Sequence, residues 1–398
     1  MSDYRYCLLR MVNAQENNNK DYEMVQVSEH TFEARYGRVK ASKMTKIYDM
    51  SVWDTIYDQK IRKGYIDVTK TVAAVTQAQS EYKEIPNEAI RQLVDELLDY
   101  ANEYVKKTYK VSKQEVTPQM LKMAQKCIDE LSACKETGSV QAFNAILQKL
   151  FTVIPRKMEN VAAYLADDKS KFAEIILNEE KNLAVLKSVC TTVDGDEESQ
   201  DGETILEHFG LTIYEADDKE IQTIKRKLTD ESSGHLKKAY RIYQKDLEER
   251  HDKYTKDNGM SKKDEKFLWH GTRNECIWPI MKTGLRLNPG VRTNGKMFGY
   301  GLYFAPRAKK SLGYTSLRGS VWARGKSNTG FMFVMKVAYK NPEHVQTWSS
   351  WMGQLTESLV KRRGHDSLYA HAGTSLFNDE IIVYNEAACV PRYLLVLE

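Results

Sequence analysis

Residues 298–314 read FGYGLYFAPRAKKSLGY and combine glycines, tyrosines, lysines and a serine in one short segment. Closely spaced glycines are typical of loops that surround phosphates. Two tyrosine faces and a hydroxyl could instead hold a flat ring that carries a carboxamide, as Tyr303, Ser311 and Tyr314 would. Phe304 replaces the third glycine of G-x-G-x-x-G, so the segment does not fit the common dinucleotide-binding fold. Tyrosines at this spacing are more often part of a core, and the segment alone leaves both interpretations open.

Two further segments carry residues that can do chemistry, FLWHGT at 267–272 and NDEIIVYN at 378–385. Gly271 permits close approach of a ligand to the backbone beside the His270 imidazole. A lone histidine is more often a structural residue with a satisfied hydrogen bond. Glu380 precedes an apolar strand and is either a charge at the strand end or a catalytic carboxylate.

Length and composition limit the class of protein to which the chain can belong. The chain has 398 residues, of which 29% are charged, and this length predicts two or three domains. It has no apolar run of eighteen residues and no secretory signal pattern, so we expect no membrane partner. The six cysteines are scattered without a C-x-x-C pair, which favours reduced thiols in an intracellular protein. Cys127 and Cys134 are seven residues apart, a spacing that favours core packing on one helix face over a metal pair.

Residues 1–75 predict short strands rich in tyrosine and valine, followed by a helix. A basic stripe crosses this zone, and it has no acid between its first and last residue. It is either a phosphate-contacting surface or a solvated strand edge guarded by lysines. The stripe consists of Arg35, Arg38, Lys40, Lys43 and Lys46.

The remaining chain divides by its periodicity. Residues 83–191 have helical spacing, with Thr117 as the cap and Pro118 as the first residue of one helix. The acidic run at 191–203 predicts a solvated linker. Strands in 204–398 are not separated by regular helices, which favours a mixed, mainly antiparallel α+β fold.

In chain order, H-G, then G-x-G-[IL]-Y-F-A with K-S-x-x-Y, then E-x-I-V-Y resemble the catalytic domain of the poly(ADP-ribose) polymerases. This domain belongs to the His-Tyr-Glu clade of ADP-ribosyltransferases. The run KDYEMVQVSEHTFEARYGRV is similar to the WGR domain of the DNA-dependent members. The resemblance therefore implies a WGR-like DNA-binding domain at 1–75, a helical regulatory domain at 83–191 and an ADP-ribosyltransferase domain at 204–398.

The resemblance also implies roles for individual residues, with NAD⁺ as the substrate and no metal. The residues that it implies for binding NAD⁺ are His270, Gly271, Thr272, Arg286, Tyr303, Ser311 and Tyr314. Gly271, Ser311, Tyr314 and Tyr303 surround the nicotinamide, and His270 with Thr272 holds the adenosine ribose. Arg286 lies in the adenosine-side segment. Glu380 stabilises the oxocarbenium-like transition state and accepts the proton of the incoming hydroxyl, with Lys310 beside it.

Contacts to broken or nicked DNA are expected from Arg35, Tyr36, Arg38, Lys40 and Lys43. Tyr36 stands where the WGR tryptophan would be, and Tyr300 replaces the lysine of FGKG. The short segment 353–380 is more similar to the tankyrase branch. A glutamate at 380 resembles the members that extend polymers.

The expected product is ADP-ribose polymer on protein acceptors, the enzyme itself included. A mono-ADP-ribosyltransferase of the same fold and a DNA-end-binding module with weak catalysis are the alternatives. We expect a nuclear location in a eukaryote and the cytoplasm or nucleoid in a prokaryote.

Overall fold

The structure is a computed structural model that describes residues 4–72, 82–190, 202–228, 232, 234–287 and 297–398. It contains two compact units. The first comprises residues 1–79 and 103–196, and the second comprises residues 80–102 and 197–398. Residues 191–201, most of the predicted acidic linker, lie outside the described residues. The division into three domains stays a prediction.

The first unit contains a five-stranded antiparallel sheet in the order β4-β3-β2-β1-β5. Its strands are β1 (Tyr6–Asn13), β2 (Asn18–Gln26), β3 (Thr31–Arg38), β4 (Met44–Asp49) and β5 (Ile66–Asp67). Strand side chains alternate between the two faces of a sheet, so Phe32 and Ala34 on β3 point to the same core. Trp53 packs against Phe32 with 4.8 Å between ring centroids. The prediction that residues 1–75 are rich in strands is confirmed for residues 4–72, the part of this zone that the structure describes.

Helices supply the rest of the first unit. They are α1 (Trp53–Arg62), α2 (Thr69–Val72), the end of α3 (Glu88–Thr108), α4 (Pro118–Thr137), α5 (Val140–Val153) and α6 (Phe172–Val189). The predicted start of α4 is confirmed, because Thr117 Oγ1 accepts a hydrogen bond of 3.1 Å from the N–H of Met120. Pro118 fits the first helical position, where no backbone donor is needed.

The second unit begins with residues 88–102 of α3 and continues with mixed elements. These are α7 (Ile205–His208), β6 (Leu211–Glu215), α8 (Asp218–Lys227), β7 (Leu236–Gln244), α9 (Lys245–Asp257), β8 (Glu265–Gly271), α10 (Ile277–Thr283), β9 (Leu302–Phe304), α11 (Ala308–Leu312), β10 (Gly330–Ala338), β11 (Pro342–Val345), α12 (Glu357–Arg362), β12 (Ser367–Ala370), β13 (Glu380–Val383) and β14 (Cys389–Leu397).

Two sheets organise the second unit. One has the order β6-β7-β14-β10-β8, and all of its pairs are antiparallel. The other has the order β11-β12-β13-β9, in which only β11 and β12 run parallel. Two backbone hydrogen bonds of 3.0 Å between Trp269 and Ala305 join β8 to the residue that follows β9. The predicted mainly antiparallel α+β arrangement is confirmed.

Every residue of β10 is buried, because strands of the same sheet flank it on both sides and an apolar cluster covers each face of the sheet there. The core around it includes Phe331, Phe333 and Met335, together with Leu93 and Leu97 of α3. In the part of the chain that the structure describes, no helix combines the length and the apolar character needed to cross a bilayer.

Candidate functional site

Strand β8 brings His270 to the point where the two sheets of the second unit meet. His270 is opposite Phe333 of β10, and its Nδ1 lies 3.2 Å from the main-chain oxygen of Tyr303. A carbonyl oxygen only accepts hydrogen bonds, so Nδ1 carries the proton and Nε2 of a neutral ring is an acceptor. Burial lowers the pKa of His270 below its ordinary value of 6.5, which keeps the ring neutral.

Residue 271, directly after His270, has to be glycine because the main chain of α11 leaves no room for a side chain there. A Cβ atom on residue 271 would lie 1.7 Å from the carbonyl oxygen of Ser311. The sequence predicted that this glycine admits a ligand. The structure adds that the protein's own backbone makes the closest approach. Ser311 is buried, and Thr272 is half-buried directly after Gly271.

Two glycines fold the loop before β9 against the smaller sheet. Gly299 has a φ of +80°, and a Cβ atom there would lie 2.3 Å from the carbonyl oxygen of Leu355. A Cβ atom on Gly301 would lie 2.1 Å from Cγ2 of Ile382 on β13. Gly301 therefore lets the loop approach β13, and Gly299 lets it approach the segment before α12.

The phenol of Tyr303 stabilises that loop through two hydrogen bonds. Its hydroxyl donates to the carbonyl oxygen of Gly299 at 3.0 Å and accepts from the N–H of Phe298 at 3.1 Å. Tyr303 is opposite Ile382 in the β9–β13 pair. Burial raises the pKa of Tyr303, so the phenol remains a neutral donor.

Glu380 begins β13 and is 7% exposed. Its Oε1 accepts a hydrogen bond from the ammonium of Lys310, which lies one residue before Ser311 on α11. Its Oε2 is buried and has no hydrogen-bond partner among the described residues. Burial raises the pKa of Glu380 above its ordinary value, while the charge and hydrogen bond of Lys310 lower it.

This free carboxylate oxygen has chemical consequences. A buried polar atom without a partner costs free energy, so it marks a position that a ligand donor can satisfy. Lys310 and Ser311 come from α11 and Glu380 comes from β13, 70 residues beyond Lys310. The contact between them therefore unites two of the motifs found in the sequence.

Tyr314 presents its ring at the end of the same segment. It is 41% exposed and lies parallel to the indole of Trp322, with 6.2 Å between ring centroids and 21° between planes. Burial raises the pKa of Tyr314, and the negative charge of Glu380 raises it further.

Trp322 was missed by the sequence analysis. The N–H groups of Trp322 and Ala323 both donate to the carbonyl oxygen of Gly313 at 2.9 Å. A Cβ atom on Gly313 would lie 2.7 Å from Cδ1 of Trp322. The only signal in the sequence is an indole in a polar, glycine-containing loop, VWARGK.

Arg286 has a partner that the sequence did not indicate. Its guanidinium lies 2.9 Å from Oε2 of Glu386, and Oε1 of Glu386 accepts from the N–H of Leu287 at 2.7 Å. This pair is separate from the contacts that join His270 to Tyr303 and Lys310 to Glu380. A role for Arg286 in binding the adenosine part of NAD⁺ stays a prediction.

The predicted DNA-contacting residues lie on β3 and on the segment leading into β4, the edge strand of the first unit's sheet. Acidic residues from outside the stripe pair with three of its cations. The pairs are Arg35 with Glu33, Lys40 with Glu115 and Lys43 with Glu23.

Two cations of the stripe have no ion pair among the described residues. Arg38 donates to the carbonyl oxygen of Asn17 at 2.8 Å, and the ammonium of Lys46 lies 4.8 Å from the ring centroid of Tyr48. Tyr36 stacks on Tyr22 with centroids 5.5 Å apart. DNA contact by these residues stays a prediction.

A model of the poly(ADP-ribose) polymerase catalytic domain matches residues 218–364. Two proteins of Invertebrate iridescent virus 6 are similar to the chain. An uncharacterized protein, 101L, is 35% identical over 183 residues, which cover 46% of this chain and 76% of the relative. A putative poly [ADP-ribose] polymerase-like protein, 100L, is 32% identical over 162 residues, or 40% of this chain and 83% of the relative.

A human relative is named for the mono-ADP-ribosyltransferase reaction. Protein mono-ADP-ribosyltransferase PARP3 of Homo sapiens is 26% identical over 216 residues. The match covers 46% of this chain and 38% of the human protein.

Proposed function

Because the chain belongs to the poly(ADP-ribose) polymerase family and is an ADP-ribosyltransferase that uses NAD⁺, we propose that it builds ADP-ribose polymer on proteins, itself included, when broken DNA stimulates it. The pairing of Glu380 with Lys310 carries the catalytic part of this proposal. That pairing leaves Oε2 of a buried carboxylate without a hydrogen-bond partner among the described residues.

The free carboxylate oxygen suits the ribose of NAD⁺. Departure of nicotinamide leaves positive charge on the ribose, and an adjacent carboxylate stabilises that charge most in the transition state. In our proposal Oε2 accepts a hydrogen bond from the ribose 2′-hydroxyl. Lys310 holds Oε1, which orients the carboxylate and favours its charged form.

The acceptor step needs a base. A hydroxyl on the acceptor loses its proton as its oxygen forms the bond to the ribose carbon. Burial raises the pKa of Glu380, and a carboxylate with a raised pKa is a stronger base at neutral pH. When the acceptor hydroxyl belongs to an ADP-ribose unit already attached, the same step lengthens a polymer.

The other site residues position NAD⁺ in this proposal. The nicotinamide stacks on Tyr314, and its carboxamide bonds to the backbone of Gly271 and the hydroxyl of Ser311. Nε2 of neutral His270 accepts from a hydroxyl of the adenosine ribose, because Nδ1 already donates to the carbonyl of Tyr303. Tyr303 closes the other side of the nicotinamide, and its phenol is fixed by two hydrogen bonds to its own loop.

A mono-ADP-ribosyltransferase is the second candidate, favoured by the name of the human relative. The two candidates differ in product length. Wild-type protein incubated with labelled NAD⁺ should give a ladder of products on a sequencing gel after release from protein. A single labelled species would assign the mono reaction, and absence of nicotinamide release would overturn the enzymatic proposal.

DNA stimulation is a separate part of the proposal and needs its own comparison. The motive is the exposed Arg38 and Lys46 of the first unit, which lack ion pairs among the described residues. The same incubation is run without DNA, with an intact closed circle and with a nicked circle. Equal rates of nicotinamide release in all three would leave the enzymatic proposal standing and remove DNA breaks as a stimulus.

A further inference from the structure

The part of the sequence that carries the active-site loops is strongly basic. Residues 276–342 contain no aspartate or glutamate and twelve lysines and arginines. Glu275 and Glu343 are the nearest acids on either side. Acids from elsewhere in the fold pair with Arg286, Lys310 and Lys336 of this segment. The cations that can attract an anionic ligand are therefore those without such a pair.

Residues 313–329, here called the basic loop, are held in one conformation by buried polar contacts. The Ser320 hydroxyl donates to the carbonyl of Thr315 at 2.8 Å and accepts from the N–H of Gly325 at 2.8 Å. Nδ2 of the buried Asn274 donates to the carbonyl of Thr329 at 3.0 Å. A loop fixed in this way presents its exposed side chains in a defined arrangement.

Three cations of the basic loop come from neighbouring stretches of its backbone. The N–H of Arg318 donates to the carbonyl of Ser327 at 2.8 Å. A Cβ atom on Gly325 would lie 2.2 Å from the carbonyl oxygen of Leu317, so the backbone at Gly325 contacts the backbone just before Arg318. Arg324 and Lys326, on either side of Gly325, therefore come from the stretch that lies against Arg318. All three cations are exposed, and none has an ion pair in the described parts of the chain.

An indole lies in the same loop. Trp322 is 58% exposed and Val321 is 72% exposed, although Ala323 beside them is buried. One side of Trp322 is supported by Tyr314 and Gly313, which fixes the indole without covering it. An exposed aromatic ring among unpaired cations is the combination that binds unpaired bases together with their phosphates.

NAD⁺ itself does not account for these cations. In the proposed function, Tyr314 receives the nicotinamide ring, and the phosphates of NAD⁺ lie beyond the ribose on the other side of that ring. The cations Arg318, Arg324 and Lys326 come after Tyr314 within the basic loop, and Tyr314 is the tyrosine that receives the ring without a phosphate in the proposed function. That step rests on the proposed function, whereas the exposure and charge of the loop do not.

From these observations we propose that the basic loop binds single-stranded nucleic acid beside the active site. Trp322 stacks on one base, while Arg318, Arg324 and Lys326 contact the phosphates of the strand. A single strand fits better than a duplex, because the faces of paired bases are covered by their neighbours. This surface belongs to the second unit and is distinct from the stripe proposed for broken DNA on the first.

Fluorescence anisotropy with a labelled fifteen-nucleotide oligothymidylate, full-length protein and no NAD⁺ tests the proposal. The triple variant Arg318→Gln, Arg324→Gln, Lys326→Gln should reduce the magnitude of the log–log salt slope by about 2, from roughly 0.7 for each phosphate contact on a single strand. Lys225→Gln, Lys262→Gln, Lys263→Gln removes three exposed cations elsewhere in the second unit and should leave the slope unchanged.

Trp322→Ala should weaken binding about 5- to 150-fold, while Trp322→Phe retains a stacking face and should weaken it less. The matched control is Trp351→Ala, since Trp351 is also exposed but lies under the guanidinium of Arg363. Each variant is also measured with Arg38→Gln and Lys46→Gln. If Trp322→Ala still weakens oligonucleotide binding when Arg38→Gln and Lys46→Gln are also present, the loss of affinity does not depend on the first unit.

Photo-crosslinking with an oligonucleotide that contains 5-iododeoxyuridine gives an independent readout, and the labelled peptide should include Trp322. Unchanged affinity in both the Trp322→Ala and the triple variants would overturn the proposal. Equal binding of inorganic polyphosphate, unaffected by Trp322→Ala, would also overturn it by showing a surface for charge alone. Tighter binding of ADP-ribose polymer than of the oligonucleotide would assign the loop to a different ligand.

Discussion

The carbonyl oxygen of Ser311 occupies the space that a side chain on Gly271 would need. A Cβ atom on residue 271 would lie 1.7 Å from this oxygen, and the obstructing atoms belong to the backbone. Strand β8 and helix α11 can therefore keep their contact only while residue 271 is glycine. Because α11 also carries Lys310, this contact sets the position of the cation that holds Glu380.

Gly271→Ala should displace α11 and lower the free energy of unfolding by about 1–3 kcal/mol, as overpacking of a well-filled site does. It should also weaken binding of 3-aminobenzamide, because Ser311 moves. Gly234→Ala is the matched control, since Gly234 has open space around its Cβ position and no positive φ. Unchanged stability and inhibitor affinity in Gly271→Ala would show that β8 and α11 are not in close contact.

Glu380→Gln keeps the shape of the side chain and removes its charge. Nicotinamide release and polymer extension should fall by about 10²–10³, the usual loss when one electrostatic group of a transition state is removed. Binding of 3-aminobenzamide should be nearly unchanged, because that ligand has no ribose. Glu343→Gln removes another paired carboxylate of the same unit and should retain activity. Long polymer made by Glu380→Gln would contradict the role given to Glu380.

Tyr314→Ala should weaken 3-aminobenzamide binding about 2- to 12-fold, because ring stacking contributes roughly 0.5–1.5 kcal/mol beyond the buried area. Tyr314→Phe keeps the ring and should bind like the wild type. Titration calorimetry measures both variants. If the alanine variant keeps the wild-type affinity, the nicotinamide ring does not stack on Tyr314.

Two histidines, the buried His251 and the half-buried His270, make stability depend on pH. Burial is the main cause that lowers the pKa of His270 and of His251 below 6.5, so the unfolded chain binds more protons than the folded chain as pH falls below that value. The free energy of unfolding should therefore rise with pH up to about 6.5, with at most ~1.4 kcal/mol per pH unit for each histidine.

His270→Asn keeps a donor for the carbonyl of Tyr303 and removes the titrating ring. Its urea-unfolding free energy should change less between pH 5 and pH 7 than that of the wild type. His251→Asn should reduce the dependence in the same direction, since His251 Nδ1 also lies near a carbonyl, that of Ala387. Identical pH slopes in the wild type and both variants would contradict the lowered pKa values.

How far the sequence predicts this molecule depends on the range of the contact involved. Thr117 and Pro118 predicted the start of α4, because a helix cap depends on residues only three positions apart, here Thr117 and Met120. The ordered motifs around His270, Tyr303 and Glu380 indicated the catalytic unit. The sequence alone left open which backbone approaches Gly271, because that contact forms between residues 40 positions apart.

Charge pairing shows the same limit. The stripe from Arg35 to Lys46 has no internal acid, and its partners Glu23 and Glu115 come from another strand and from the segment before α4. Arg286 pairs with Glu386, 100 residues away. Such partners depend on the tertiary fold, so a local count of charges overestimates how many cations are free for a ligand.

Arg38→Gln should lower both the affinity for a nicked duplex and the rise in nicotinamide release that the duplex causes. Arg38 is exposed, its guanidinium donates only to the carbonyl of Asn17, and it has no ion pair in the described parts of the chain. Loss of one phosphate contact should reduce the log–log salt slope for duplex binding by about 0.9. Arg62→Gln removes an exposed cation from the same unit and serves as the control. Equal slopes and equal stimulation in Arg38→Gln, Arg62→Gln and the wild type would show that the stripe does not contact DNA through Arg38.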